Sequence, residues 1–185
     1  QAAAGGGAWE LIATGTPSSS TYLTFTGFDS STYNNYLFLV AGVTNAGTHS
    51  EHRFRMWSST DGGSSYDDGS NEYSYGKRMQ SNSSDNGPQS ATSNEIEFCG
   101  GIDTTGSGAD GIATGFVQIP NPQATDTRVR FLFDMTIGDS STKIYSVNGM
   151  YLRDANADVD AIRFGWSTED FADTGAIYFY GMKKT

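Results

Sequence analysis

The sequence has little cysteine, few charged residues and no long apolar run, and each shortage excludes a class of protein. Cys99 is the only cysteine among 185 residues, so no intramolecular disulfide framework can form. Charged residues make up 17% of the chain, and the net charge of −10 comes without a Lys/Arg-rich stripe. We therefore expect neither a nucleic-acid-binding surface nor binding to an anionic membrane. No apolar run reaches the length of a membrane span.

The abundant residues are turn formers and aromatics. The chain has 23 glycines and 13% aromatic residues, and short alternating apolar runs are separated by Gly/Ser/Asn clusters. No stretch has a convincing 3.6-residue hydrophobic period. About ten strands at this spacing predict an all-β fold with negligible helix, a two-sheet antiparallel β-sandwich. We expect one sandwich domain over residues 9–185, preceded by an Ala/Gly-rich arm or linker over residues 1–8.

Three segments carry specific structural expectations. The near-continuous apolar run 35–43 predicts a central strand that is buried on both faces. Residues 72–79 are expected to pair with the strand 52–58 as a hairpin. The polar segment 80–93, rich in Ser, Asn and Asp, is expected to be a mobile surface loop.

The turn between these two predicted hairpin strands has the spacing of an Asp-box. Ser59 and Asp61 offer short side-chain oxygens to turn N–H groups, and Gly63 can adopt the positive φ of a tight turn. Tyr66 places an aromatic ring at the start of the next segment. These residue types predict a structural turn and supply no catalytic group.

Two segments contain residue types that can bind metal ions, one acidic and one with two histidines. Asp154, Asn156, Asp158 and Asp160 place oxygen ligands at alternate positions, as a calcium loop does. The glycine and the bidentate acid that such a loop requires are replaced by Val159 and Gly165, so a solvated turn is favoured.

His49 and His52 offer potential ligands without the helix that zinc motifs use, and Cys99 is expected to be a buried thiol. No cofactor and no resident metal are therefore predicted.

One pair of carboxylates has a spacing that could serve catalysis. Glu95 and Glu97 lie two apart on a predicted strand, close to the separation that a retaining glycosidase needs. Arg128 and Arg130 alternate with the same period and could pair with them across strands. Because this ion pairing explains the two carboxylates, we expect the chain not to be an enzyme.

Several sequence blocks occur in a characteristic order: 9–12, 23–27, 33–38, 54–56 leading to 59–67, 160–164 and 175–181. On these blocks the chain resembles a jelly-roll-like β-sandwich found in structural proteins of tailed-bacteriophage virions. Such domains occur in capsid decoration (cement) proteins and in fibres, and the resemblance brings no catalytic residues with it.

The resemblance implies a protein on the exterior surface of a virion. We expect a homotrimer that contacts the major capsid protein or other virion proteins by surface complementarity. The alternative is a carbohydrate-binding adhesin module of a tail fibre that recognises host glycans. Its binding aromatics would be exposed residues such as Tyr73, Tyr75 and Trp57, although cross-strand packing is the favoured explanation of these aromatics.

Overall fold

The computed structural model describes residues 8–47, 53–81, 85–98, 111–138, 144–167 and 169–184. These ranges contain twelve strands and no helix, so no helix within them is long and apolar enough to cross a membrane. The strands are β1 (Trp9–Gly15), β2 (Tyr22–Phe25), β3 (Tyr33–Thr44), β4 (Phe54–Ser59), β5 (Tyr73–Ser81), β6 (Asp85–Ser93), β7 (Ile96–Glu97), β8 (Ile112–Pro120), β9 (Arg130–Gly138), β10 (Ile144–Arg153), β11 (Ala161–Trp166) and β12 (Ala176–Lys183).

The strands form two antiparallel sheets of unequal size. The large sheet has eight strands in the order β1-β12-β3-β8-β9-β10-β5-β6, and the small sheet has four in the order β2-β11-β4-β7. This arrangement confirms the predicted all-β sandwich. The predicted division into an arm and a single domain stays a prediction, and most of the arm lies outside the described residues.

Alternation along each strand builds the core between the sheets. On β9 the inward side chains Phe131, Phe133 and Met135 are buried, while the residues between them are exposed. Aromatic rings fill the centre, where Phe38 stacks on Phe179 with ring centroids 4.6 Å apart. Each fully buried ring of this size removes 150–250 Å² from water, roughly, and dominates the stability of the core.

Strand β3 is not buried on both faces, so that prediction was wrong. Its burial alternates, and the outward side chain of Leu39 is 40% exposed. The small sheet covers only the inner face of the large sheet. Apolar residues on the other face of β3 therefore lie at the molecular surface.

The predicted hairpin between 52–58 and 72–79 was also wrong. Strand β4 pairs with β11 and β7 in the small sheet, whereas β5 pairs with β10 and β6 in the large sheet. The turn between β4 and β5 therefore crosses from one sheet to the other. Local turn chemistry is compatible with both geometries, so it could not distinguish a hairpin from a crossover.

The prediction that segment 80–93 is a surface loop was wrong for residues 80–81 and 85–93, which lie in strands β5 and β6. Strand β6 occupies Asp85–Ser93 and pairs with β5 at the edge of the large sheet. Its polar composition and Pro88 suit an edge strand, because one side of such a strand needs no ladder donors.

Candidate functional site

The outward surface of the large sheet, which we call the outer face, carries eight of the nine exposed large hydrophobic residues of the described ranges. It consists of the outward side chains of the large-sheet strands. Its exposed large apolar residues are Trp9, Leu11, Leu39, Ile112, Phe116, Leu132, Ile144 and Met150. Soluble proteins rarely expose a contiguous apolar patch of this kind unless something binds to it.

The strand register makes these residues neighbours. One row across the sheet runs through Leu11, Tyr180, Leu37, Gln118, Leu132 and Met150. The next row runs through Tyr178, Leu39, Phe116, Asp134 and Asn148. Because adjacent strands lie about 4.8 Å apart, the side chains within each row are in reach of one another.

Charge is nearly absent from the centre of the outer face. On the outward side of β3, β8, β9 and β10 the charged residues are Arg130 and Asp134, one of each sign, both on β9 and both exposed. This part of the outer face has no net charge although the chain carries −10. Neither residue takes part in an ion pair within the described part of the chain.

The outward surface of the small sheet has a different character. The Arg163 guanidinium lies over the rings of Tyr22, Trp57 and Tyr66 at 4.5, 4.8 and 4.2 Å from their centroids. Beside this cluster is a depression of about 290 Å³. It is lined by Thr21, Tyr22, Arg55, Trp166, Ser167, Glu169 and Asp170. Cation–aromatic stacking holds the Arg163 cluster together.

The turn after β4 is held by the side chains of Ser59 and Asp61. The N–H groups of Gly63 and Ser65 donate to Ser59 Oγ and Asp61 Oδ1, each at 2.9 Å, and Ser65 Oγ donates to Asp61 Oδ2 at 2.6 Å. The hydrogen bonds from Ser65, from its side chain first, lower the pKa of Asp61 to about 2. Tyr66 packs against Arg163. The identification of this turn as an Asp-box stays a prediction.

The candidate carboxylates Glu95 and Glu97 pair with Arg55 of β4 and with Arg53 just before it, and not with Arg128 or Arg130. Arg55 donates to Glu95 at 2.5 Å, and Arg53 donates to Glu97 at 3.1 Å. Burial raises the pKa of Glu95, against the opposing effect of Arg55. Glu97 also lies 3.6 Å from Lys77 Nζ, whose side chain is almost fully buried. The pair is thus part of a salt-bridge network at the contact between the sheets.

The candidate calcium ligands point to different neighbours. Asp154 accepts from Ser74 Oγ at 2.9 Å and pairs with Arg128, whereas Asp160 accepts from the Gly62 N–H at 2.9 Å. Asn156 and Asp158 are exposed on the loop between them. Within the described ranges, no three His, Cys, Asp or Glu side chains are grouped to hold a metal ion. His49, His52 and Cys99 lie outside these ranges.

Two of the three aromatics named for glycan binding are not exposed. Tyr73 is fully buried and its Oη accepts from the Ser58 N–H at 2.9 Å, and Trp57 is 4% exposed beneath Arg55 and Arg163. Tyr75 is half-buried against Tyr151. An adhesin site built on Tyr73 and Trp57 is therefore ruled out by their burial.

Sequence reasoning missed the pairing of Arg153 with Asp67, an acidic residue that the sequence offered only as a possible aid to cation binding. Arg153 donates to both carboxylate oxygens of Asp67, from Nε at 2.7 Å and from a terminal nitrogen at 2.9 Å. The pair joins the end of β10 in the large sheet to the segment after β4. One feature of the sequence could have indicated it: Arg153 lies two residues after Tyr151 on a strand, so both side chains point to the same, buried side of β10.

Comparison with known proteins gives little further guidance. No protein family matches the chain, and no curated protein matches it. Among solved structures, the chain is similar to an alginate lyase from Pseudomonas aeruginosa, with 11% identity and a TM-score of 0.22. The similarity covers 83% of this chain and spans 65% of the lyase chain.

The prediction that the chain is not an enzyme is contradicted by this comparison, because the similar structure is that of an enzyme, and we withdraw it. A similarity at this TM-score carries no argument for lyase activity in this chain.

Proposed function

We propose that this chain is a surface structural protein of a tailed-bacteriophage virion, a capsid decoration (cement) protein or a module of a head or tail fibre. It acts through protein–protein contacts with the major capsid protein, other virion proteins and further copies of itself. The ordered sequence blocks between Trp9 and Gly181 support the virion assignment. The outer face supports the mode of action.

The observation that carries the proposal is the apolar, almost uncharged surface of the large sheet. Leu11, Leu39, Phe116, Leu132 and Met150 are each more than a third exposed on this surface. Burying apolar area contributes roughly 25 cal/mol per Å², so covering several such side chains provides a strong driving force for association. Residues of this type form the central part of protein interfaces, where charged residues are depleted.

The experiment is rebinding of the purified protein to capsids, and separately to tails, that have been stripped of it. We expect saturable binding at a fixed copy number. Leu132→Glu should weaken binding, since it adds a charge to the centre of the outer face, whether the particle or a second copy of the chain covers that face. Thr24→Glu is the matched control, because it adds the same charge at an exposed position on the small sheet. If neither particle binds the protein, the structural role is wrong.

A second candidate is glycan recognition at the depression on the small sheet. Tyr22 is 42% exposed at its edge, and Arg55 and Asp170 also line it. An exposed ring beside polar groups is the composition that sugar sites use, because the ring packs on the sugar face while the polar groups orient its hydroxyls. Glycan-array binding that is lost in Tyr22→Ala would support this candidate. An array without signal would remove it.

A further inference from the structure

Three outward residues of β9 form a symmetric pattern at the centre of the outer face. Arg130, Leu132 and Asp134 alternate along the strand and are all exposed. At about 3.3 Å per residue, the two charged residues are about 13 Å apart along the strand. That distance is too long for an ion pair within one copy, and neither charge has a salt-bridge partner in the described part of the chain.

The same spacing makes the strand complementary to itself. Consider a two-fold axis that lies in the plane of the outer face, perpendicular to β9 and passing through Leu132. This axis places a second outer face against the first with its β9 reversed, so that Arg130 of each copy faces Asp134 of the other. An axis parallel to β9 would instead place Arg130 against Arg130, which like-charge repulsion disfavours.

We propose that the outer face binds a second copy of this chain in a two-fold symmetric dimer, with reciprocal Arg130–Asp134 ion pairs on either side of Leu132. This inference deepens the proposed function, because it names the partner that covers the outer face. A two-fold interface uses the same patch on both subunits. A three-fold assembly joins two different patches, so the trimer expected from the sequence does not use this face in the same way.

The outer-face residues near Leu132 fit the same axis, whereas Ile112 and Ile144 lie beside Gly138 at the far end of β9, outside the contact. The row that contains Leu37, Leu132 and Met150 lies along the axis, so each of these apolar side chains meets its own copy. Gln118 of β8 also lies on the axis, and Phe116 and Pro120 lie two residues to either side of it. Phe116 of one copy therefore faces Pro120 of the other. Packed sheets lie about 10 Å apart, a gap that an arginine and an aspartate side chain can span together.

The reciprocal Arg130–Asp134 contacts are the feature that selects a second copy. Each copy carries −10, so long-range repulsion opposes self-association, but the outer face adds no net charge at the contact itself. With the axis through Leu132, the third residue of β9, the reversed strands of the two copies face each other over about five residues, or about 17 Å. Six strands at about 4.8 Å spacing then give a facing area of about 490 Å² per copy. Stable interfaces bury about 800 Å² per partner, so we expect a weak dimer whose population depends on concentration.

The test is a charge exchange read by sedimentation velocity and native mass spectrometry over a range of concentrations. We expect the unaltered protein to become a dimer as its concentration rises. Asp134→Arg and Arg130→Asp should each weaken the homodimer about tenfold or more, because both ion pairs become like-charge contacts. A mixture of the two variants should form a heterodimer as tight as the original dimer, since all four charges then meet opposites.

Asp126→Arg is the control, because it makes the same charge change at an exposed turn outside the sheets. The inference is overturned if the unaltered protein stays a monomer at every concentration or forms a trimer, if either single variant dimerises normally, or if the mixture stays monomeric. This measurement needs no capsid. Its failure is therefore distinguishable from a failure of the protein to bind stripped particles.

Discussion

Gly175 combines a left-handed backbone with a close approach of another strand. Its φ is +75°, and a Cβ there would lie 2.3 Å from the carbonyl oxygen of Gly42 on β3. Gly62 has a similar φ of +72° with open space around it. Gly62→Ala should cost about 1 kcal/mol for the left-handed backbone alone. Gly175→Ala should cost about 3 kcal/mol, because the backbone of β3 or of the turn must also move.

Urea denaturation of the two glycine variants measures this difference. The two substitutions are identical in chemistry and nearly identical in φ, so the difference in unfolding free energy isolates the contact with Gly42. Equal losses of stability in the two variants would show that this close approach does not constrain the turn.

Asp61 gives the stability of the protein a defined dependence on acid. Its folded pKa of about 2 lies below the ordinary value of 3.8, because Ser65 and Ser59 donate to the ionised carboxylate. A lowered pKa stabilises the folded state above the unfolded pKa, and this contribution is lost as the pH falls through about 4 towards 2.

The Asp61→Asn variant checks the sign of this effect. Its urea midpoint should fall less than that of the original protein between pH 5 and pH 2, because the variant has no carboxylate to protonate at this position. Asp126→Asn, at an exposed turn, is the control. A steeper fall in Asp61→Asn would contradict the assignment.

At the level of strands and sheets, the buried ion pair Arg153–Asp67 holds the two sheets together. The Arg153 side chain is 6% exposed and donates to both oxygens of Asp67, which also accepts from Ser58 Oγ of β4 at 2.6 Å. Asp67→Ala should lower the free energy of unfolding by about 3–5 kcal/mol, because it leaves a buried guanidinium without its carboxylate. Replacing both residues, as Asp67→Ala with Arg153→Met, should recover part of the loss.

The exposed pair Arg128–Asp154 is the internal comparison for this measurement. The Arg128 side chain is 50% exposed, so Arg128→Ala should change stability by less than about 1 kcal/mol. Comparable losses in Asp67→Ala and Arg128→Ala would mean that the Arg153–Asp67 pair does not hold the sheets together.

The strands themselves could be predicted from alternation, but their partners could not. The inward Phe131, Phe133 and Met135 mark β9 in the sequence as clearly as in the structure. The segment after Ser59 has turn chemistry that suits a hairpin, yet β4 and β5 belong to different sheets. Pairing depends on contacts far apart in sequence, and single-sequence patterns do not report them. The Arg153–Asp67 pair escaped prediction for the same reason.

The unequal sheets determine the surface of the whole molecule. Four strands cover one side of eight, and the uncovered side keeps apolar residues at alternate positions. In the sequence, the run 35–43 looked like a doubly buried strand because its outward residues are also apolar. The composition of this run was visible in the sequence, but the exposure of its outer side required the fold.

Hydroxyl-radical footprinting shows directly whether a second copy of the chain or another virion protein covers the outer face. Met150 on the outer face and Tyr22 on the small sheet are both 42% exposed, so each reports on one side of the molecule. Oxidation should be compared between dilute protein, concentrated protein and intact virions. We expect Met150 to become protected in the concentrated and virion samples, while Tyr22 retains its reactivity in concentrated protein. Unchanged oxidation of Met150 across all three samples would contradict the covering of this face.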